Sequence, residues 1–290
     1  MEFGIYPNIK KEKIYQYLPK LIEILENQQV KYFMAMEVKN KLEEKNIYID
    51  HSLYKSTDWM GIHLKHILSI GGDGSYLDTA KVFSDYEVFL TGIHLGELGF
   101  LNSIRENDTE CKIKQLINGN YMVEERLFLE AEIIDGEDHS IKLPVVLNDV
   151  VIGKNQIGKM IRLNLWINDN FAQQYPCDGL IISTPTGSTG YAFSCGGPIL
   201  HSAAQEMIVV PICPHTLAKF SSVLSKGDRV KITLSDREQL LHISLDGNGD
   251  YDLKKGEALV VQGVHKKIRF VRFNDQDFWE ILSDKLVKKI

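Results

Sequence analysis

An α/β domain on a parallel sheet, followed by an antiparallel, β-rich domain, is the fold that this 290-residue sequence predicts. Two observations predict it. The first hundred residues alternate strand-like and helix-like stretches, and from about Tyr121 apolar residues recur at every second position. Residues 2–6 read as a strand stopped by Pro7-Asn8. Ile14, Tyr17-Leu18, Leu21-Ile22 and Leu25 then repeat at helical spacing. Residues 30–34 read as a second strand, 38–45 as a second helix, 65–70 as a third strand, 75–83 as a third helix and 88–93 as a further strand. Such a β-α-β-α rhythm makes a parallel sheet whose ligands gather at the carboxyl ends of the strands.

In the second half, Leu127, Leu129, Ala131 and Ile133 alternate with Arg126, Phe128, Glu130 and Glu132. Ile161, Leu163, Leu165 and Ile167 repeat the pattern, as do Val230, Ile232 and Leu234, then Leu241, Ile243 and Leu245. Period two over several segments marks half-buried antiparallel strands. Phe278-Trp279, Leu282 and Leu286 follow Asp277 at helical spacing, a capped helix. Trp166 and Trp279 read as packing residues, and the change of pattern puts the domain boundary near 103–119.

Composition narrows the function. A hydrophobic content of 44%, a charged content of 25% and a formal net charge of -6 suit a globular protein and give no electrostatic sign of nucleic-acid binding. No apolar run approaches membrane-spanning length, the longest (207–213) being interrupted by Pro211. Met1-Glu2-Phe3 lacks the regions of a secretory leader, and Cys111, Cys177, Cys195 and Cys213 show no CxxC spacing. A cytoplasmic protein with reduced thiols, not bound to membrane or nucleic acid, is the expectation.

Ile70-Gly71-Gly72-Asp73-Gly74-Ser75 carries most of the chemistry. Three glycines in four positions let a ligand touch the backbone, and a strand turning into a helix presents N–H groups to phosphate. Gly71, Gly72, Gly74 and Ser75 are therefore candidate phosphate-loop residues. A carboxylate repels phosphate, so Asp73 makes sense against a hydroxyl to be phosphorylated or against a divalent cation. Gly92-Ile93-His94-Leu95-Gly96-Glu97-Leu98-Gly99-Phe100 again places glycines after a strand. The second concentrated segment is Asp178-Gly179-Leu180-Ile181-Ile182-Ser183-Thr184-Pro185-Thr186-Gly187-Ser188-Thr189-Gly190-Tyr191, closed by Cys195-Gly196-Gly197-Pro198. Its hydroxyls can bind ribose, phosphate or base edges without adding charge, Tyr191 can stack on a base, and Asp178 can accept from an amide or ribose hydroxyl. Gly153-Lys154-Asn155-Gln156-Ile157-Gly158-Lys159 imitates a P-loop, but Met160 stands where Ser or Thr must be and strands flank both sides, so it reads as a hairpin turn. The histidines show no metal-binding spacing, and only His94 and His215 lie in motif loops. Asn248-Gly249 also reads as a hairpin turn.

Together these segments resemble the NAD kinase family over nearly the whole chain, joined by Leu147-Asn148-Asp149-Val150-Val151, Pro214-His215-Thr216-Leu217, Leu245-Asp246-Gly247 and residues 270–279. The glycine–aspartate loop alone is shared with phosphofructokinases and with diacylglycerol and sphingosine kinases; the 178–198 block is more specific. The resemblance implies a Rossmann-like, phosphofructokinase-like α/β domain of residues 1–105 with 266–290, whose C-terminal helix packs back on it, and a β-rich, NAD-binding domain of residues 106–265. It implies phosphoryl transfer from ATP, with a divalent metal such as Mg²⁺, to the 2′-hydroxyl of the adenosine ribose of NAD, giving NADP. Asp73 is then the general base, and Gly74 allows close approach. Asn148 and Asp149 bind adenine and ribose. Phe100, Lys159, Asp178, Thr186, Thr189, Gly190, Tyr191, Ala192, Phe193, Ser194 and Asn248 line the dinucleotide site, with no resident metal. Similar proteins are homo-oligomers, tetramers or dimers. This sequence departs from the family pattern at Asp149 (commonly Glu), Gly190 (commonly Ala), Asn248 (commonly Gln) and Phe220-Ser221-Ser222 (commonly Arg-Pro-Ile). The rival readings are a lipid kinase sharing the loop and a dinucleotide sensor without turnover.

Overall fold

The computed structural model describes residues 1–96, 99–135, 139–154, 160–215, 220–235, 240–275 and 277–286. They form two compact units, Met1–Glu125 with Lys267–Ile290, and Arg126–Lys266. The chain begins with strand β1 (Glu2–Pro7), helix α1 (Lys13–Asn27), β2 (Lys31–Ala35), α2 (Lys39–Glu44), β3 (Tyr54–Lys55) and α3 (Thr57–His63). Then come β4 (His66–Gly71), α4 (Asp73–Val82), β5 (Phe89–His94), β6 (Ile104–Arg105), α5 (Thr109–Ile117) and β7 (Met122–Glu124). The second unit holds β8 (Leu127–Ile134), β9 (Ser140–Lys142), β10 (Asp149–Gly153), β11 (Ile161–Ile167), β12 (Asn170–Cys177) and β13 (Gly179–Ser183). It continues with α6 (Tyr191–Ser194), β14 (Glu206–Ile212), β15 (Ser222–Ser225), β16 (Arg229–Leu234), β17 (Leu240–Leu245), β18 (Asn248–Lys254) and β19 (Ala258–His265). The chain ends with β20 (Arg269–Arg272) and α7 (Phe278–Leu286) in the first unit.

The first unit is an α/β sheet in the order β3-β2-β1-β4-β5-β20-β7, with β6 on β5. Its pairs are parallel except the edge pair β7–β20, which is antiparallel. Central β4 is buried at every residue, which is why it reads as a continuous apolar run and not as an alternation. The apolar stripe of α1 (Ile14, Tyr17, Leu18, Leu21, Leu25) is wholly buried, as its spacing predicts. Helix α3, capped by the Ser56 hydroxyl accepting from Trp59 N at 3.2 Å, and helix α5 lie where no element was anticipated. The observed units also move the domain boundary. Residues 106–125, assigned from sequence to the β-rich domain, belong to the first unit. There Tyr17 and Thr109 share a hydroxyl hydrogen bond of 2.6 Å and β7 extends the sheet.

The second unit is two six-stranded antiparallel sheets among the described residues, β15-β14-β13-β10-β17-β18 and β12-β11-β16-β19-β8-β9. Their inward residues form one core, to which Leu127, Leu129, Ala131 and Ile133 of β8 and Ile161, Leu163 and Leu165 of β11 all belong. Phe128, on the other face of β8, is buried too, against the alternation expected there. β10 and β11 lie in different sheets and so do not pair as the expected hairpin, and residues 155–159 of that expected turn lie outside the described residues. The hairpin β17–β18 is present, but its turn is Asp246-Gly247, both at positive φ (51° and 73°), and Asn248 opens the returning strand. Lys112 of α5 grips the Asp275 carboxylate at 2.6 Å and 2.7 Å just before α7. No described side chain of α7 is fully buried, and Trp279 is 58% exposed, which corrects its reading as a packing residue.

Candidate functional site

In the first unit, β4 delivers Gly71, the chain turns at Gly72, and α4 begins at Asp73. Contact requires glycine at Gly71, whereas at Gly72 only the flexible end of Lys11 would have to move. A Cβ on Gly71 would strike the Ser75 hydroxyl, and one on Gly72 would lie 2.8 Å from Lys11 Nζ. A Cβ on Gly74 would meet nothing within 4 Å, so that glycine leaves open space at the helix start. Ser75 Oγ accepts from Asn8 Nδ2 at 2.6 Å and from Gly72 N at 3.4 Å, tying the end of β1 to the turn. Tyr76 N makes the first bond back into the helix, to Gly72 O at 3.0 Å. The N–H groups of Asp73, Gly74 and Ser75 thus have no partner within the helix, the condition that suits a phosphate.

Asp73 is held by the segment after β5. Its Oδ2 accepts from Phe100 N at 2.8 Å, and its Oδ1 from Asn102 Nδ2 at 2.9 Å and Leu101 N at 3.4 Å. A carboxylate offers about four acceptor positions, so these three donors fix the group and leave about one, on Oδ2. Asn102 is 1% exposed, and its Nδ2 also lies 3.3 Å from His94 Nδ1. Arg272 of β20 supports the same segment from behind: its guanidinium donates to Phe100 O at 3.2 Å and Leu101 O at 3.4 Å, and its Nε to Glu124 at 3.3 Å. Phe100 therefore enters through its backbone. Gly99 has no room for a side chain, because its Cβ would fall on the Asp73 carboxylate. Gly99→Ala is expected to cost about 1–3 kcal/mol in stability from overpacking and to lower turnover at least tenfold by displacing Asp73. Thermal melts and steady-state rates on one preparation check both effects.

In the second unit, Asn148 and Asp149 stand at the start of β10, beside the β17–β18 turn. The Asp246 carboxylate accepts from the backbone N–H groups of Asn148 (2.8 Å), Asp149 (3.1 Å) and Leu147 (3.1 Å), and Asp246 N donates to Asp149 O at 2.9 Å. Asn248 Nδ2 reaches Asp246 O at 3.4 Å, so Asn148, Asp149 and Asn248 come together around Asp246. Asp149 is 7% exposed. Burial first, and then the Asp246 charge, push its carboxyl up to about 7. Asn148 Oδ1 is buried without a hydrogen-bond partner, an acceptor that a ligand amine or hydroxyl would satisfy.

The 178–198 block divides by depth. Ser183, Thr184 and Ser188 are buried, and their hydroxyls brace the turn. Thr184 Oγ1 donates to Leu147 O at 2.5 Å, Ser183 Oγ to Asn148 O at 3.2 Å and Ser188 Oγ to Pro185 O at 2.7 Å. Thr186 is also buried, its Oγ1 accepting from Arg126 at 3.5 Å, and Ala192 points its methyl into the core beside Ile181 and Val210. As candidate contacts these two have only backbone to offer. Thr189, Gly190, Tyr191, Phe193 and Ser194 are half-buried or exposed and accessible. Gly187 cannot carry a Cβ, which would strike Asn148 O. Asp178 is not a free acceptor: Lys154 Nζ donates to its Oδ1 at 2.6 Å, leaving Oδ2 for anything else. Cys195 lies near Tyr191 and Cys213, and burial raises its thiol above the usual range. Lys159, with Thr216 and Leu217 of the 214–217 block, falls outside the described residues.

Lys11, Asn102, Arg272, Lys154 and Asp246 were not singled out from sequence as site residues. Only Asp246 carried a signal, the Asp-Gly pair of a tight hairpin turn. Among the described residues no three His, Cys, Asp or Glu cluster to hold a metal, and no helix is long and apolar enough to cross a membrane.

Comparison with known proteins bears on the family and the fold. The profile described as the ATP-NAD kinase N-terminal domain matches residues 3–121, and that of the ATP-NAD kinase C-terminal domain residues 147–273. An NAD kinase of Thermoanaerobacter sp. (strain X514) is 32% identical over 289 residues, covering 99% of both chains. One from Natranaerobius thermophilus is 31% identical over 283 residues, 98% of this chain and 96% of its own. Among solved structures, yeast NADH kinase complexed with NADH superposes with a TM-score of 0.86 at 20% identity, covering 99% of this chain and 87% of that one. An NAD kinase from Archaeoglobus fulgidus in complex with ATP gives 0.72 at 22% identity over the whole of both chains. The two structures share this α/β plus β-rich fold, and the sequence relatives settle the family: the chain belongs to the NAD kinases.

Proposed function

We propose that this chain transfers the γ-phosphoryl group of ATP to the 2′-hydroxyl of the adenosine ribose of NAD, giving NADP. The observation that carries the reading is the Asp73 carboxylate, fixed by three donors with an acceptor position left on Oδ2, in the first turn of a glycine-walled helix start. A ribose hydroxyl donating to Oδ2 is oriented for attack on phosphorus. The new O2′–P bond forms as the bond to the β–γ bridging oxygen breaks, ADP leaves, and the hydroxyl proton passes to Asp73. Asn148, Asp149 and Asn248 bind the adenine–ribose end. Asp178, Thr189, Gly190, Tyr191, Phe193 and Ser194 line the rest, with backbone from Thr186 and Ala192. A divalent ion fits as one carried by the triphosphate, which supplies its own oxygen ligands and keeps water, and so needs no protein cage. Bound so, it neutralises charge on the β- and γ-phosphates.

The four free cysteines are in keeping with a reducing, cytoplasmic compartment. The family resemblance further implies a homo-oligomer, dimer or tetramer, which sedimentation velocity would measure. The decisive assay is NADP formation by purified protein with magnesium ATP and NAD. NADP is expected to accumulate. Tight NAD binding without product would instead support a sensor, and phosphorylated diacylglycerol without NADP a lipid kinase.

A further inference from the structure

β5 carries His94 to the level of the glycine turn: Gly71 and His94 pair in register, and Leu95 N donates to Gly71 O at 3.0 Å. The chain then returns alongside β5, where Ser103 N donates to Gly92 O at 3.1 Å and β6 pairs Arg105 with His94. That return sets the Asn102 amide between His94 and Asp73. Gly92 leaves the room for it, since a Cβ there would strike Asn102 Oδ1 and the Tyr76 ring. His94 is half-buried, its Cε1 3.7 Å from the Cβ position of Gly72 and its Nε2 3.8 Å from that of Gly96, so glycines give the ring its place too.

The amide has one workable orientation. Its Nδ2 lies 2.9 Å from Asp73 Oδ1 and 3.3 Å from His94 Nδ1, whereas its Oδ1 is buried without a hydrogen-bond partner among the described residues. Turned over, it would set Oδ1 against a carboxylate oxygen, acceptor against acceptor. An unpaired buried oxygen costs stability, so the two acceptors of the nitrogen decide how the amide sits. The NH₂ group has two hydrogens, one for Asp73 and one for His94. Nδ1 of His94 is then the acceptor, and the ring proton sits on Nε2.

We propose that His94 is a positioning residue for phosphoryl transfer: as the neutral Nε2–H imidazole it fixes the Asn102 amide, and through it the Asp73 carboxylate, with Oδ2 left for the ribose hydroxyl. The proposal rests on the kinase reading above and adds a residue to its machinery. Asp73 keeps Phe100 N and Leu101 N in any case, so His94 refines the alignment and does not create it. A small misplacement of a reacting group lowers the rate more than it weakens binding. Catalytic hydrogen bonds are commonly long before substrate binds, as the 3.3 Å contact is.

Nuclear magnetic resonance of the full-length protein with ¹⁵N-labelled histidine tests the tautomer without turnover. The His94 signals, identified by their loss in His94→Leu, are expected to show an unprotonated Nδ1 and a protonated Nε2, and the Nδ1 shift is expected to move in Asn102→Ala. In steady-state assays His94→Leu is expected to lower kcat about three- to tenfold, the contribution of one neutral hydrogen bond, with both KM values within about twofold. His94→Asn, whose amide oxygen reaches the Nδ1 position, is expected to recover most of that loss. In an Asn102→Ala background His94→Leu is expected to lower kcat no further. A protonated Nδ1, equal losses in His94→Leu and His94→Asn, or a full additive loss in the Asn102→Ala background would each overturn the proposal. The two readings fail separately. Wild-type protein that forms no NADP defeats the kinase reading, whatever the tautomer, whereas NADP formation at unchanged kcat in His94→Leu defeats the positioning role alone.

Discussion

Asp73→Asn is expected to remove nearly all NADP formation, by about 10²–10⁴ in kcat, while NAD and ATP affinities change by no more than a few-fold. The variant keeps size and shape, so the glycine turn and the start of α4 are undisturbed. It loses the acceptor on which the proposed proton transfer depends. The hydrogen-bond geometry also predicts a side effect. With the amide oxygen at the Oδ1 position it still accepts from Asn102 and Leu101, but the amide nitrogen then faces Phe100 N, a donor against a donor. Losing that charge-assisted bond costs about 1.5–3 kcal/mol of stability. The variant should therefore melt earlier than the wild type yet remain folded and bind both nucleotides at assay temperature. Direct titration of NAD, beside initial rates, separates the two effects. A folded Asp73→Asn protein with turnover within a few-fold of wild type would sink the role given to Asp73.

Local chemistry was legible in the sequence, and long-range support was not. Gly71 to Ser75 could be read as a strand–turn–helix corner because the apolar run ending at Ile70 stops at glycines that permit a sharp turn, and helical spacing follows at Leu77 and Ala80. The period-two runs announced the antiparallel unit because one face of each strand meets a shared core. Nothing near Asp73 in sequence indicates that its carboxylate is held by residues 100–102, or that Arg272 steadies those residues in turn. Such contacts are made by the order of strands in the sheet, which puts β5 and β20 side by side. The hydroxyl-rich block misled in one respect: a run of Ser and Thr reads as a binding surface, yet half of its hydroxyls are buried and spent on bracing the turn that presents the others. The bound at 105 came with the family resemblance and put α5 and β7 in the other domain, although the period-two pattern itself begins only at about Tyr121. Only the change of sheet, after Glu125, marks the boundary.

The Asp149–Asp246 pair gives the other large effect. Asp246 takes three backbone N–H groups, whereas Asp149 is buried beside it, with burial first and then the Asp246 charge raising its carboxyl. A carboxyl raised to about 7 in the folded chain, from 3.8 when unfolded, opposes folding once it must ionise. Its contribution is most favourable below pH 3.8, declines as pH rises, and reaches its full penalty above about 7. At 1.36 kcal/mol per pH unit that penalty is of order 2–4 kcal/mol. Asp149→Asn keeps the shape and never ionises. It should therefore stabilise the free protein at pH 8, raising Tm by roughly 5–10 °C, with the advantage growing between pH 5 and 7 and level above that. Asp246→Asn should do the reverse and destabilise throughout, because an amide nitrogen would meet a backbone N–H. Melting curves of the wild type and both variants from pH 5 to 8, without nucleotide, read this directly. A gain in Asp149→Asn that does not vary with pH would mean that packing, not ionisation, sets the effect. A loss growing with pH would mean that the Asp149 carboxylate is paired as an anion in the folded chain.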